Sequence, residues 1–125
     1  MDVQQIKADL EQKYPGKKIV VNDPENPTEI ICEIEPASPE KNTSVQIAVI
    51  DESVKHVHQN TTELYEVIHG DLTITKDGKE YVMKVGESFA VHPNEEHSIE
   101  GHETWIKITS IPAWNDKAHT PVNEQ

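Results

Sequence analysis

Three histidines and a glutamate hold most of the chemistry this sequence offers. In "KHVH" an extended backbone sends His56 and His58 to one face and Lys55 and Val57 to the other. The polar run "QNTT" then resets the parity, so Glu63 enters from the next strand with Tyr65 and Val67 on its own face. His97 follows the turn "HPNEE" and opens a further strand, with Ile99 as its same-face neighbour. Three neutral imidazoles and a carboxylate suit a divalent first-row ion such as Zn, Ni, Mn, Fe or Co. One or two coordination positions would remain open for water or substrate.

Positioning these four groups from separate parts of the chain requires short strands joined by turns. "KIVV", "TEIICEIE", "SVQIAVI" and "KHVH" are β-rich runs separated by Pro-, Asn- and Asp-rich segments. Val45, Ile47 and Val49 alternate and are expected to bury one face of their strand. Asp77-Gly78 lies between "LTITK" and "KEYVM" as a type I′ hairpin signal, which places Leu72 and Ile74 together. "SFAV", "HSIE" and "TWIKITSI" complete the set, with Gly101 expected to separate the last two. Ile106 and Ile108 read as core, which turns Trp105 and Lys107 toward solvent, a loop or a subunit interface. Ahead of the strands, Val3, Ile6, Leu10 and Tyr14 recur at helical spacing between Asp2 and Pro15-Gly16, the pattern of one amphipathic helix. The expected organisation is a helix over residues 1–16, an antiparallel barrel or sandwich over 17–112 and an irregular tail over 113–125.

Composition narrows the function. A chain of 125 residues is expected to form one domain. Its net charge of −12 disfavours nucleic acid and anionic membrane surfaces as partners. All 11 basic residues are lysine, so no guanidinium fork exists to grip a phosphate or carboxylate at two points. Cys32, the single cysteine, reads as a small buried hydrophobe. With no signal-like or membrane-spanning run, a cytoplasmic soluble protein is expected.

The chain resembles a small single-domain cupin, whose first motif is G(x)5HxH(x)3-4E(x)6G and whose second is G(x)5PxGxxHxxxN. His56, His58, Glu63 and Gly70 meet the ligand part of the first, and Ile50 stands in place of its leading glycine. Gly86 and His97 fall at the spacing of the second, with His92 for the first proline, Asn94 for the inner glycine and Gly101 for the final asparagine. Asparagine tolerates a left-handed turn, so the exchange at residue 94 is mild. The resemblance implies a double-stranded β-helix, or jelly roll, over roughly residues 18–112. It also implies His56, His58, Glu63 and His97 as the metal ligands, and a homodimer.

Such a site could polarise a carbonyl and stabilise an enediolate, which is the chemistry of sugar isomerisation. Without arginine, neutral polyols or hydroxy-ketones are the expected substrates. Tyr65 and His92 are the proton-transfer candidates, and Glu63 is a ligand that could also act as a base. The same ligand set is compatible with a cupin dioxygenase, or with a barrel that binds a metal or small molecule without turnover. His69, His92, His102 and His119 lie beside turns or in the tail and are expected to be solvated or to cap, His92 being the one that could also move a proton.

Overall fold

The computed structural model describes residues 1–36, 40, 42–53, 55–112 and 120–121. Helix α1 (Val3–Lys13) begins where the Asp2 carboxylate accepts the Gln5 backbone N–H at 3.1 Å, satisfying one donor that the first turn leaves unpaired. It closes on a 2.7 Å bond from the Tyr14 N–H to the Leu10 carbonyl, and Pro15-Gly16 turns the chain away. The strands that follow are β1 (Ile19–Val21), β2 (Glu29–Glu35), β3 (Ser44–Glu52), β4 (His56–Val57) and β5 (Thr62–His69). Then come β6 (Leu72–Lys76), β7 (Lys79–Met83), β8 (Ser88–Val91), β9 (His97–Ile111) and β10 (Thr120–Pro121).

All pairings among the described strands are antiparallel, and they roll into a jelly roll. One path runs β1-β2-β3-β9-β4-β10, while β9 also pairs with β5 and β6. β5 and β6 in turn pair with β8 and β7. The β6–β7 hairpin turns through Asp77 at φ 51° and Gly78 at φ 79°, the two left-handed residues of a type I′ turn. Gly70, at φ 88°, returns β5 into β6.

β3 departs from the expected single buried face. Ile47 and Val49 pack with Ile30 and Cys32 of β2 beneath Ile6 and Leu10 of α1. On the opposite side Ala48 and Ile50 join Val67, Leu72, Ile74 and Ile106 in the barrel interior. The alternation in "SVQIAVI" therefore marks the surface that the helix covers, and the other face of β2 and β3 looks into the barrel. Trp105 is part of the helix-covered cluster, with the Lys13 ammonium 4.8 Å above its ring, while Lys107 is exposed.

Gly101 does not end a strand, contrary to expectation; β9 runs through it for 15 residues. The backbone bends there instead. Glu103 takes φ 48°, its N–H donates to the Asp51 carboxylate at 2.8 Å, and the β3–β9 register slips between Ile50 and Glu52. A Cβ at residue 101 would run into the Thr104 hydroxyl and lie 3.0 Å from the Ile50 carbonyl oxygen. The Thr104 hydroxyl cannot easily yield, because it donates to the Asp71 carbonyl at 2.6 Å. Gly101→Ala is expected to lower stability by about 1–3 kcal/mol. Urea denaturation reads this, and an unchanged midpoint would contradict the packing described.

The tail, expected to be irregular, contributes β10, whose Thr120 and Pro121 lie opposite Val57 and His56 of β4. The rest of residues 113–125, His119 included, lies outside the described residues. Among the described residues no helix is long and apolar enough to cross a membrane.

Candidate metal centre

The fold brings His56, His58, Glu63 and His97 together. One ligand atom from each lies within 4.8 Å of all the others. β4 lies against the start of β9, so His56 pairs directly with His97, and their ring centroids are 4.1 Å apart. His58 follows β4, and its carbonyl accepts the Asn94 N–H at 2.7 Å. Asn94 holds φ 66°, the left-handed turn expected at the position of the inner glycine. Glu63 comes from β5, between Val91 of β8 and Ser110 of β9. All four side chains are buried.

The turn before β9 also sets the His97 tautomer. Its Nδ1 lies 3.0 Å from the Glu95 carbonyl, which can only accept, so Nδ1 carries the proton and Nε2 keeps a lone pair. That Nε2 is buried, has no hydrogen-bond partner, and stands 3.6 Å from Glu63 Oε1. His58 Nε2 stands 2.9 Å from the same oxygen. A lone pair facing a carboxylate in a buried site is unfavourable unless a cation lies between them. Ligands held at ~2.1 Å from a tetrahedral ion sit about 3.4 Å apart, a spacing comparable to the two separations seen. The donor set and its geometry fit a divalent metal.

Burial alone would raise the Glu63 carboxyl, but the His58 contact and the Tyr65 hydrogen bond outweigh it and hold the group far below the usual carboxylate range. Glu63 is therefore an anion whenever the protein is folded near neutrality. The Tyr65 hydroxyl donates to Glu63 Oε1 at 2.8 Å. Burial, then the neighbouring Glu63 charge, keeps its phenol well above the ordinary value, so it remains a donor. Tyr65 thus orients a ligand, the outer-shell role that tunes metal sites.

The other expectations resolve by position. His92 is exposed on the turn and is not among the residues lining the cavity. Its backbone N–H donates to the Glu95 carboxylate at 2.6 Å and so helps to shape the turn. His69 and His102 are exposed.

Glu29 was not foreseen. It lines the cavity of about 370 Å³ into which His56, His58, Glu63 and Tyr65 also open. Burial, then repulsion from Glu63, pushes its carboxyl up to about 7, against a smaller opposing pull from His58. In "TEIICEIE" the residues Ile30, Cys32 and Ile34 look like the inward face, which assigns Glu29 to solvent. The helix reverses that assignment by covering the apolar side.

The cupin domain model matches residues 44–106, just over half of the chain, and spans all four clustered ligands. The protein belongs to the cupin family. Among solved structures this cupin is similar to the nucleoside dehydratase Pac13 of Streptomyces, with a TM-score of 0.74 at 12% identity over 88% of each chain. It is also similar to KdgF from Halomonas sp., with a TM-score of 0.67 at 11% identity over 80% of this chain and 91% of that one. FeII HppE gives a TM-score of 0.63 at 11% identity over 76% of this chain and 56% of the other. At such identities the likeness carries the fold alone. No curated protein matches the chain by sequence.

Proposed function

We propose that this cupin is a metal-dependent enzyme acting on a small, neutral, polyhydroxylated molecule, by isomerisation through an enediolate. The observation that carries this reading is the chemistry of the cavity wall. Glu29, Glu63, Gln46, Asn22 and Ser53 present polar groups beside the histidines, and no lysine is among the described lining residues. A bound divalent ion would offset Glu29 and Glu63, and no cationic side chain among the described lining residues is left to hold a further anionic group such as a phosphate. A neutral polyol finds hydrogen-bond partners on several sides. The volume falls in the range of small-molecule sites. Pac13, which shares the fold and was solved with uridine, a neutral ribose-bearing molecule, supports a substrate of this polarity.

His56, His58, His97 and Glu63 would hold the metal, with Zn, Ni, Mn and Fe all compatible with the donor set. A bound ion supplies Lewis-acid polarisation of a substrate carbonyl or hydroxyl oxygen. The chain's own contribution is to orient and to exclude water. Tyr65 pins Glu63, Gln46 is held by the Ser110 hydroxyl at 3.2 Å, and Ile31, Ile99 and Ile108 close the apolar part of the wall.

The same ligands support a second, oxidative reading, because FeII HppE shares the fold. One experiment separates them. Protein loaded with Mn, Ni, Zn or Fe is offered free pentoses, hexoses and diketones while products and dissolved oxygen are followed. Isomerisation without oxygen uptake, lost on chelation and restored by metal, is the expected result. Oxygen uptake would replace isomerisation with the dioxygenase reading, and tight binding without turnover would make the barrel a binding module.

A further inference from the structure

We propose that Glu29 is the acid–base residue of this cupin, the carboxylate that takes a proton from substrate carbon and returns it to the neighbouring carbon. The assignment rests on the polyol-isomerase reading above and adds the group that moves the proton.

The carboxylates that line the cavity divide their labour. Glu63 is committed to Tyr65, His58 and His97 within the metal cluster. Glu29 lies on a different strand, outside that cluster. Among the described residues its carboxylate has no hydrogen-bond or ion-pair partner. Glu29 is half-buried and opens into the same cavity as His56, His58 and Glu63, so its carboxylate is placed to meet an occupant that supplies hydrogen-bond donors or acidic protons.

The backbone holds Glu29 in place. Its N–H donates to Asn22 Oδ1 at 3.0 Å, and its carbonyl accepts the Asn22 N–H at 3.0 Å. The Asn22 amide is itself fixed by Thr28, donating to its hydroxyl at 2.8 Å and accepting its N–H at 3.1 Å. On the other side Glu29 lies opposite Ile50 of β3. Catalytic groups need such rigid support, because loss of geometry erases their advantage. Burial raises the proton affinity of this carboxyl in the metal-free protein, the direction that suits a group that both accepts and donates.

The step balances without an oxidant. The C2–H bond of an aldose breaks toward the Glu29 carboxylate, its electron pair forms the C1–C2 double bond, and the C1 carbonyl oxygen takes the charge. The O2 proton passes to O1, Glu29 returns its proton to C1, and the C2 carbonyl forms.

The test uses the full chain loaded with Mn²⁺, with D-xylose, D-lyxose and D-mannose as probes in D₂O. Glu29→Gln is expected to hold as much Mn²⁺ as wild type and to melt cooperatively. Its turnover should fall by about 10²–10⁴-fold, and deuterium should no longer enter substrate carbon. Glu29→Asp, which keeps the carboxylate but shortens it, should retain part of the exchange. Equal exchange by wild type and Glu29→Gln would overturn the assignment alone. Loss of Mn²⁺ from Glu29→Gln would overturn it too, by making the residue a ligand. A metal-loaded wild type that converts and exchanges none of the probes would overturn the isomerase reading, and this assignment with it.

Discussion

Replacing His97 with alanine is expected to strip the metal from the purified protein. His97 Nε2 is the buried, unpartnered lone pair of the cluster, and its other ring nitrogen is anchored to the Glu95 carbonyl. β4 and β9 fix His56 and His97 opposite each other, so the variant opens a gap in the ligand set. Loss of an outer-shell partner alone costs about 10–100-fold in metal affinity, so loss of a direct ligand should cost more than ~100-fold. Glu63→Gln should act similarly, since it removes the charge that offsets the ion. Tyr65→Phe, which deletes only the donor to Glu63, belongs in the outer-shell range. His92→Ala should leave affinity unchanged, because that ring is exposed on the turn. Competition with a chromophoric chelator measures all four. An affinity lost in His92→Ala and kept in His97→Ala would reverse the account.

The second large effect is on stability. The Glu29 carboxyl is raised from 4.5 to about 7 on folding. Between those values the folded state binds more protons than the unfolded one, so the stability that the protonated group allows is complete below about pH 4.5 and is lost as pH rises through about 7. A shift of this size corresponds to up to about 3 kcal/mol. Glu29→Gln, which cannot ionise, should therefore match wild type near pH 4.5 and exceed it at pH 8 in chelated protein. Urea denaturation at the two pH values reads the difference, and a variant less stable than wild type at pH 8 would contradict the burial described. Greater stability with lost turnover is the signature of a group kept for function at a cost to the fold.

Much of the site was legible because its ligands obey strand parity. His56 and His58 share a face by alternation, and Glu63 follows a short turn. Bringing His97 to them took the family motif, since no local pattern predicts that β9 begins beside β4. Asn94 and the Asp77-Gly78 hairpin were readable because left-handed backbone restricts residue type. Glu29 was not readable, for a physical reason. Alternation reveals that a strand has an apolar face and a polar one, but not which of them meets the barrel interior once a helix covers the outside. Trp105, expected to face solvent, a loop or a subunit interface, packs in the helix-covered cluster for the same cause. Gly101 misled differently. A glycine inside a strand pattern signals a break or a close approach equally well, and here Thr104 packs into the space that a Cβ would occupy.

The central claim, that His56, His58, Glu63 and His97 form one metal centre, is tested most directly by X-ray absorption spectroscopy of metal-loaded protein beside its His97→Ala variant. The account predicts a first shell of oxygen and nitrogen at about 2.0–2.2 Å with scattering from three imidazoles, and metal lost or imidazole scattering reduced in the variant. A wild-type spectrum without imidazole scattering, or one that His97→Ala leaves unchanged, would place the ion elsewhere and contradict it.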